Sequence, residues 1–262
     1  MLLITAARAI LDITVLSSSV EGAAHQFAAS YVVNGTLVVD AGSIGFSELQ
    51  RQKGVRSVLI SHVHLDHVAS LPIFIDNVYQ PGPQCPIVYA SEHVIQNLKA
   101  HFFNEVIWPD VIRLSREESP FIRFVTLTDS QPVEIDGMTV TPVALNHIVP
   151  AFGFIVDDGT TAVAFISDTA PTEAIWQKVR ENPRVKAVFL EAAFPNSMAW
   201  LAEKATHLTP SLFREEYAKA GRPLPVVAVH IKPAFYEAVI GELQQLNLEH
   251  LTISKPNQTY SF

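Results

Sequence analysis

Cysteine is almost absent: Cys85 is the only one in 262 residues. That excludes an intrachain disulfide and favours a reducing, cytoplasmic compartment, while leaving the periplasm open. Runs of Lys or Arg are missing too, and 26 acidic residues against 18 basic ones give a net charge of −8. A large nucleic-acid footprint needs a basic face, so no large nucleic acid is expected as a partner. Charged residues make up only 17% against 48% hydrophobic ones, which implies a sizeable buried core rather than disorder. No apolar run is long enough to span a bilayer, so no membrane partner is expected. The opening segment 1–9 is apolar but short and lacks a basic flank, which makes it a poor signal peptide. Linkers, low-complexity tracts and repeats are also missing, so 1–262 reads as a single domain.

What the chain does contain is concentrated in one stretch. Directly after the apolar run Val58-Leu59-Ile60 come His62, His64, Asp66 and His67, four metal-binding side chains within six residues. Imidazole and carboxylate are the donors that a borderline divalent ion such as zinc prefers. A strand ending at Ser61 hands these side chains to a tight loop, where they can converge on two adjacent cations. A lone His-x-His would be an ordinary polar loop; four donors at this spacing mark a metal site.

Strands are expected over 12–16, 29–33 and 36–39, the last two joined by Asn34-Gly35, whose positive-φ preference is a strong hairpin signal. The third ends at Asp40, which is either a turn former or a hydrogen-bond partner for a metal-bound histidine. Helix is expected over 46–53, from 71 towards 78, and over 91–103 with Ser91 as N-cap. His93 and His101 lie on one face of that last helix and read as structural or solvent-facing. The aromatic connector 103–110 reads as a packed lid, or, through Trp108, as a stacking surface for a flat ligand.

Further strands are expected over 55–60, 86–90, 121–127, 132–135, 138–145, 153–156, 161–166, 185–190, 225–229 and, finally, 250–254. Helices are expected over 172–180, from Thr209-Pro210 to Gly221, and over 234–246. His62, His147, Asp168, Glu191 and His230 each fall at the C-terminal end of one of these strands. Any one alone would read as a structural residue, but five suggest a shared rim above a sheet. Antiparallel hairpins mix with strand–helix–strand units, which points to an α/β fold of two mixed sheets packed face to face with helices outside.

His62-Val63-His64-Leu65-Asp66-His67, followed in order by His147, Asp168 and His230, resembles the metallo-β-lactamase superfamily over nearly the whole chain. The resemblance implies an αββα sandwich with a two-metal site on its edge. It implies His62, His64 and His147 on one ion, Asp66, His67 and His230 on the other, and Asp168 bridging. His64 stands where the di-iron, oxygen-reducing branch carries glutamate, so a hydrolytic role is implied. The run from His62 to Leu71 also resembles the class II cyclic-nucleotide phosphodiesterase signature, departing from it at Pro72. Residues 104–110, Glu191-Ala192-Ala193-Phe194-Pro195-Asn196, His207-Leu208-Thr209-Pro210 and His230-Ile231-Lys232-Pro233 resemble the same family.

These resemblances imply hydrolysis of 3′,5′-cyclic AMP or GMP to the 5′-nucleotide, with a small cyclic nucleotide as partner. The expected cofactor is two divalent ions, zinc first and manganese or iron(II) as alternatives; oligomeric state stays open, a homodimer included. Two cations about 4 Å apart can generate hydroxide at neutral pH and clamp phosphoryl oxygens. Asp66 would orient that hydroxide, and His207, oriented by Glu191, would protonate the leaving oxygen, unless it serves only beside the helix start at Thr209. Lys232 would pair with the phosphate or remain solvated. The competing readings are a tRNA 3′-end endonuclease of the RNase Z type, another hydrolase of the fold, and a non-catalytic metal or nucleotide sensor.

Overall fold

Short apolar strands cannot bury both faces alone, so sheets stack and helices cover what is left. A computed structural model of the chain describes residues 10–17, 26–117 and 119–262; segment 1–9 lies outside them. The first half builds one sheet from β1 (Asp12–Val15), β2 (Tyr31–Val33), β3 (Leu37–Val39), β4 (Ser57–Ile60), β5 (Ile87–Ala90) and β6 (Arg123–Thr126). The β2–β3 turn has Asn34 and Gly35 at φ 49° and 72°, as an Asn-Gly hairpin demands. From β3 onward the pairing is parallel. The crossovers carry α1 (Leu49–Gly54), α2 (Leu65–Val68), α3 (Leu71–Val78), α4 (Glu92–His101) and α5 (Val111–Glu117). Pro72 falls in the first turn of α3, where its missing N–H costs nothing, so the departure from the signature leaves the helix intact.

The second half builds a second sheet: β7 (Val133–Ile135), β8 (Met138–Leu145), β9 (Ala151–Asp157), β10 (Ala162–Ile166), β11 (Val185–Glu191), β12 (Val226–Val229) and β13 (Leu251–Ile253). Its outer face is covered from α6 (Ala174–Glu181), α8 (Pro210–Ala218) and α9 (Tyr236–Gln245), while α7 (Ala199–Ala205) packs with Ala193 and Phe194 beyond the end of β11. The chain then adds β14 (Thr259–Ser261) to the free edge of β1, so the last strand belongs to the first sheet. The strand expected at 250–254 is therefore not the final one. The order is β14-β1-β2-β3-β4-β5-β6 in one sheet and β13-β12-β11-β10-β9-β8-β7 in the other.

Side-chain alternation sorts each strand between layers. Leu59 of β4 enters the core between the sheets with Phe154, Phe165 and Phe189, while Val58 and Ile60 pack outward under the helices. In β11, Ala187 and Phe189 face inward, and Val188 and Leu190 pack against the second helical layer. Strands buried on both faces read as continuous apolar runs, as these do. Among the described residues no helix is long and apolar enough to cross a membrane.

The 103–110 connector folds back on itself, with Glu105 N–H donating to the Trp108 carbonyl at 3.0 Å, and Trp108 packs partly buried against the outer core of the first sheet. Val106 and Ile107 are left exposed at the tip instead. His93 and His101 are exposed on α4, as expected.

Candidate metal centre

The C-terminal ends of β4, β8, β10, β11 and β12 meet along one edge of the sandwich and bring His62, His147, Asp168, Glu191 and His230 together. The loop after β4 adds His64, Asp66 and His67. Glycine at position 42 makes this possible, because a Cβ there would lie 2.0 Å from the Asp66 carbonyl oxygen. The backbone of that loop is pinned in return: Ala29 N–H donates to Asp66 O and Ala41 N–H to His67 O, both at 2.8 Å.

Three sets of donor atoms converge: His62, His64, His147 and Asp168; Asp66, His67 and His230; and Asp168, His207 and His230, each set within 4.8 Å. Asp168 Oδ2 sits at the centre, 3.6 Å from His62 Nε2, 3.3 Å from His67 Nε2 and 3.4 Å from His230 Nε2. Asp168 belongs to the first and third sets, and its Oδ2 also lies beside His67 and His230 of the second.

The hydrogen bonds behind the imidazoles fix which nitrogen faces inward. Asp40, predicted from its strand-end position, accepts the His67 Nδ1–H at 2.7 Å and leaves Nε2 for the centre. Its carboxylate also accepts Ser61 N–H at 2.8 Å and Ser61 Oγ–H at 2.9 Å. Having donated there, Ser61 Oγ accepts from Ser167 Oγ at 3.0 Å and from His62 Nδ1 at 2.9 Å, which fills its one-donor, two-acceptor capacity. His62 therefore also presents Nε2. His147 Nδ1 is held by the Thr206 hydroxyl at 2.8 Å and carbonyl at 3.1 Å.

These donors fit a cation. His62 Nε2 and His147 Nε2 lie 3.1 and 3.2 Å from the same atom, His64 Nδ1. One N–H cannot satisfy three nitrogens, whereas one cation can. Among the described residues, buried His67 Nε2 and Asp168 Oδ1 have no hydrogen-bond partner. Protonation points the same way, since ligands must be free of protons. Burial pushes the pKa of His62 well down, with His67 adding to it, and burial also lowers His64 and His147. Burial alone would raise Asp66, but His230, His67 and Lys232 outweigh it and hold it at about 2. Burial likewise opposes ionisation of Asp168, and His230 and His67 overcome it. His67 behaves differently: burial disfavours its charged form, yet Asp168 and Asp40 hold its pKa well above the ordinary value.

Beside this cluster lies the pair foreseen as proton donor and orienting carboxylate. Glu191 Oε1 accepts His207 Nδ1–H and Thr169 N–H, both at 2.9 Å, and Oε2 accepts Leu208 N–H at 3.3 Å. His207 Nε2 is 3.9 Å from Asp168 Oδ2, so it faces the centre. Burial would lower its pKa, but Glu191, by charge and hydrogen bond, raises it. Lys232 Nζ donates to Asp66 Oδ2 at 3.1 Å and lies 3.2 Å from His230 Nε2. The orienting hydroxyls of Ser61, Ser167 and Thr206 are not among the expected site residues, although each directly precedes one: His62, Asp168 and His207.

A model of the β-lactamase superfamily domain matches residues 39–231. A protein named probable 3′,5′-cyclic-nucleotide phosphodiesterase from Yersinia pestis is 27% identical over 226 residues, covering 75% of this chain and 64% of that protein. The chain thus spans slightly under two thirds of that relative's length. The crystal structure of unliganded yeast PDE1 superposes with a TM-score of 0.77 at 17% identity, covering 95% of this chain and 99% of the other. Human tRNase Z, short form, superposes at 0.65 and 15% identity, covering 95% and 98%. The two structural likenesses establish a shared fold, and the domain match spans the strands that carry the donor cluster. The chain belongs to the β-lactamase superfamily, in its metallo-β-lactamase-fold form.

Proposed function

We propose that the protein is a metal-dependent phosphodiesterase that hydrolyses 3′,5′-cyclic nucleotides, cAMP or cGMP, to 5′-nucleotides. The observation that carries this reading is the buried Glu191–His207 pair, aimed at the Asp168 donor cluster. His62, His64 and His147 would hold one divalent ion, Asp66, His67 and His230 a second, and Asp168 both, with zinc as the expected metal. When bound, such a pair supplies a nucleophile from water at neutral pH and neutralises charge on the phosphoryl oxygens.

The chain's own residues do the rest. A ribose 3′-oxygen leaves as a strongly basic alkoxide, so it needs a proton as the bond breaks. Glu191 accepts from Nδ1 of His207, which leaves Nε2 as the position for the transferable proton, and the charge of Glu191 shifts the pKa in the direction that favours holding it. Asp66 stays ionised throughout the working range, with its pKa held at about 2. The Lys232 ammonium beside it is available to the phosphate.

The name of the Yersinia relative supports the substrate, and the charge of −8 disfavours a tRNA-sized one. The test is a panel of cAMP, cGMP, a cyclic dinucleotide and pre-tRNA with zinc-loaded protein. Conversion of cAMP or cGMP to the 5′-nucleotide is expected. Cleavage of pre-tRNA with both cyclic nucleotides untouched would replace this reading with the tRNase Z one.

A further inference from the structure

Thr206 sits in a conformation its side chain disfavours. It follows α7 with φ 55° and ψ 52°, the left-handed region, where a β-branched residue is an outlier. Its N–H donates to Glu203 O at 3.2 Å, and the next N–H, of His207, to Ala202 O at 2.9 Å. That is a Schellman turn, whose left-handed position is normally glycine. Glycine would serve the turn better, so retaining threonine calls for a role of its hydroxyl.

The hydroxyl is fully used. Oγ1 donates to Ala205 O at 2.7 Å, accepts Ile148 N–H at 2.9 Å, and accepts from His147 Nδ1 at 2.8 Å. One donor and two acceptors exhaust its capacity. Two successive residues of the β8–β9 loop are thereby tied to the turn that presents His207. The arrangement repeats what Ser61 does for His62, on a different sheet and from a different element.

We propose that Thr206 is a positioning residue: its hydroxyl locks the His147 loop so that Nε2 faces the donor cluster, while its left-handed backbone delivers His207 to the same face. This rests on the metal-centre reading above. It accounts for a strained threonine where glycine would relieve the turn, and it couples a metal donor to the proton donor through one side chain.

The experiment compares Thr206→Gly, Thr206→Ser and Thr206→Val by zinc affinity, measured against a chromophoric chelator, by thermal unfolding, and by ¹⁵N NMR of the histidine tautomers without metal. Thr206→Gly should unfold at or above the parent temperature yet bind zinc about 10-fold more weakly, the lower end of the range for an orienting partner, because the Thr206 carbonyl remains. Thr206→Val should lose affinity similarly, and Thr206→Ser should stay within about twofold of the parent. His147 should carry its proton on Nδ1 in the parent and in Thr206→Ser, and shift towards Nε2 in Thr206→Gly. Parent-like affinity and tautomer in Thr206→Gly would overturn the proposal, as would equal losses in Gly and Ser. A parent that binds no zinc would instead overturn the metal reading, and the tautomer comparison would still decide the role of Thr206.

Discussion

Replacing Asp40 with Asn changes one atom and isolates the tautomer argument. Asp40 has φ 60°, and asparagine tolerates left-handed backbone as well as aspartate does, so the fold is not the variable. The carboxylate accepts three hydrogen bonds: Ser61 N–H on Oδ1, and Ser61 Oγ–H and His67 Nδ1–H on Oδ2. In Asp40→Asn one of these oxygens becomes an NH₂ group. If the amide oxygen keeps Ser61 N–H, the NH₂ faces Ser61 Oγ and His67 Nδ1. Ser61 has an escape, because its hydroxyl can turn to Ser167 and still accept from His62. His67 has none: two donors now face each other, and relief requires moving its proton from Nδ1 to Nε2. Flipping the amide transfers the same conflict to the buried N–H of Ser61.

Either outcome costs about one hydrogen bond to a charged group, roughly 1.5–3 kcal/mol. At about 1.4 kcal/mol per tenfold, this corresponds to zinc affinity lower by about 10–100-fold. Competition with a chromophoric chelator at pH 7 measures it, and elemental analysis of the dialysed protein should show metal lost from the set containing His67 first. Parent-like affinity in Asp40→Asn would mean that the Asp40–His67 bond does not set the donor nitrogen, and the assignment of Nε2 would fall.

Three further outcomes follow from other parts of the molecule. His207→Ala should slow cyclic-nucleotide turnover by about 10²–10⁴-fold, the range for lost acid catalysis, yet cleave bis-nitrophenyl phosphate near the parent rate, since nitrophenolate leaves without a proton; equal losses on both substrates would remove the proton-donor role. Gly42→Ala forces a methyl to within 2.0 Å of Asp66 O and 2.8 Å of the Ala29 backbone, so denaturant unfolding should show a loss at or above the ~1–3 kcal/mol typical of overpacking, together with reduced metal content. Asp157 would be raised by burial, but hydrogen bonds from Arg184, Asn182 and Gly159 hold its pKa below the ordinary 3.8. The unfolded chain then binds the proton more readily, so this stabilisation is complete above about pH 4 and fades as pH falls through the lower folded value. In metal-free protein, the stability advantage of the parent over Asp157→Asn should therefore shrink as pH falls below about 4, read by urea unfolding, and a gap constant with pH would contradict it.

Local chemistry alone determined a good part of this protein. Asn34-Gly35 and Asp136-Gly137 specify tight turns because both residues of each pair take positive φ. The apolar runs ending at Ile60, Ile166 and Val229 are strands buried on both faces, and each hands a His or Asp to the same edge. Five chemically similar residues at five strand ends remain visible without coordinates because strand direction fixes where an end can go.

Tertiary structure decided what has no local period. The three residues of β14 become a strand only by pairing with β1, some 245 positions away in sequence, and α5 and α7 are short helices that packing selects. Trp108 packs partly buried on the outer core of the first sheet, in a connector that closes on itself. The tautomers were beyond the sequence as well: Ser61, Ser167 and Thr206 are ordinary hydroxyls until two sheets bring them behind His62 and His147. A hydrogen bond depends on a few tenths of an ångström between distant residues. Sequence spacing conveys which groups are present at the edge, and only the packed sandwich conveys which atom each one turns towards its neighbours.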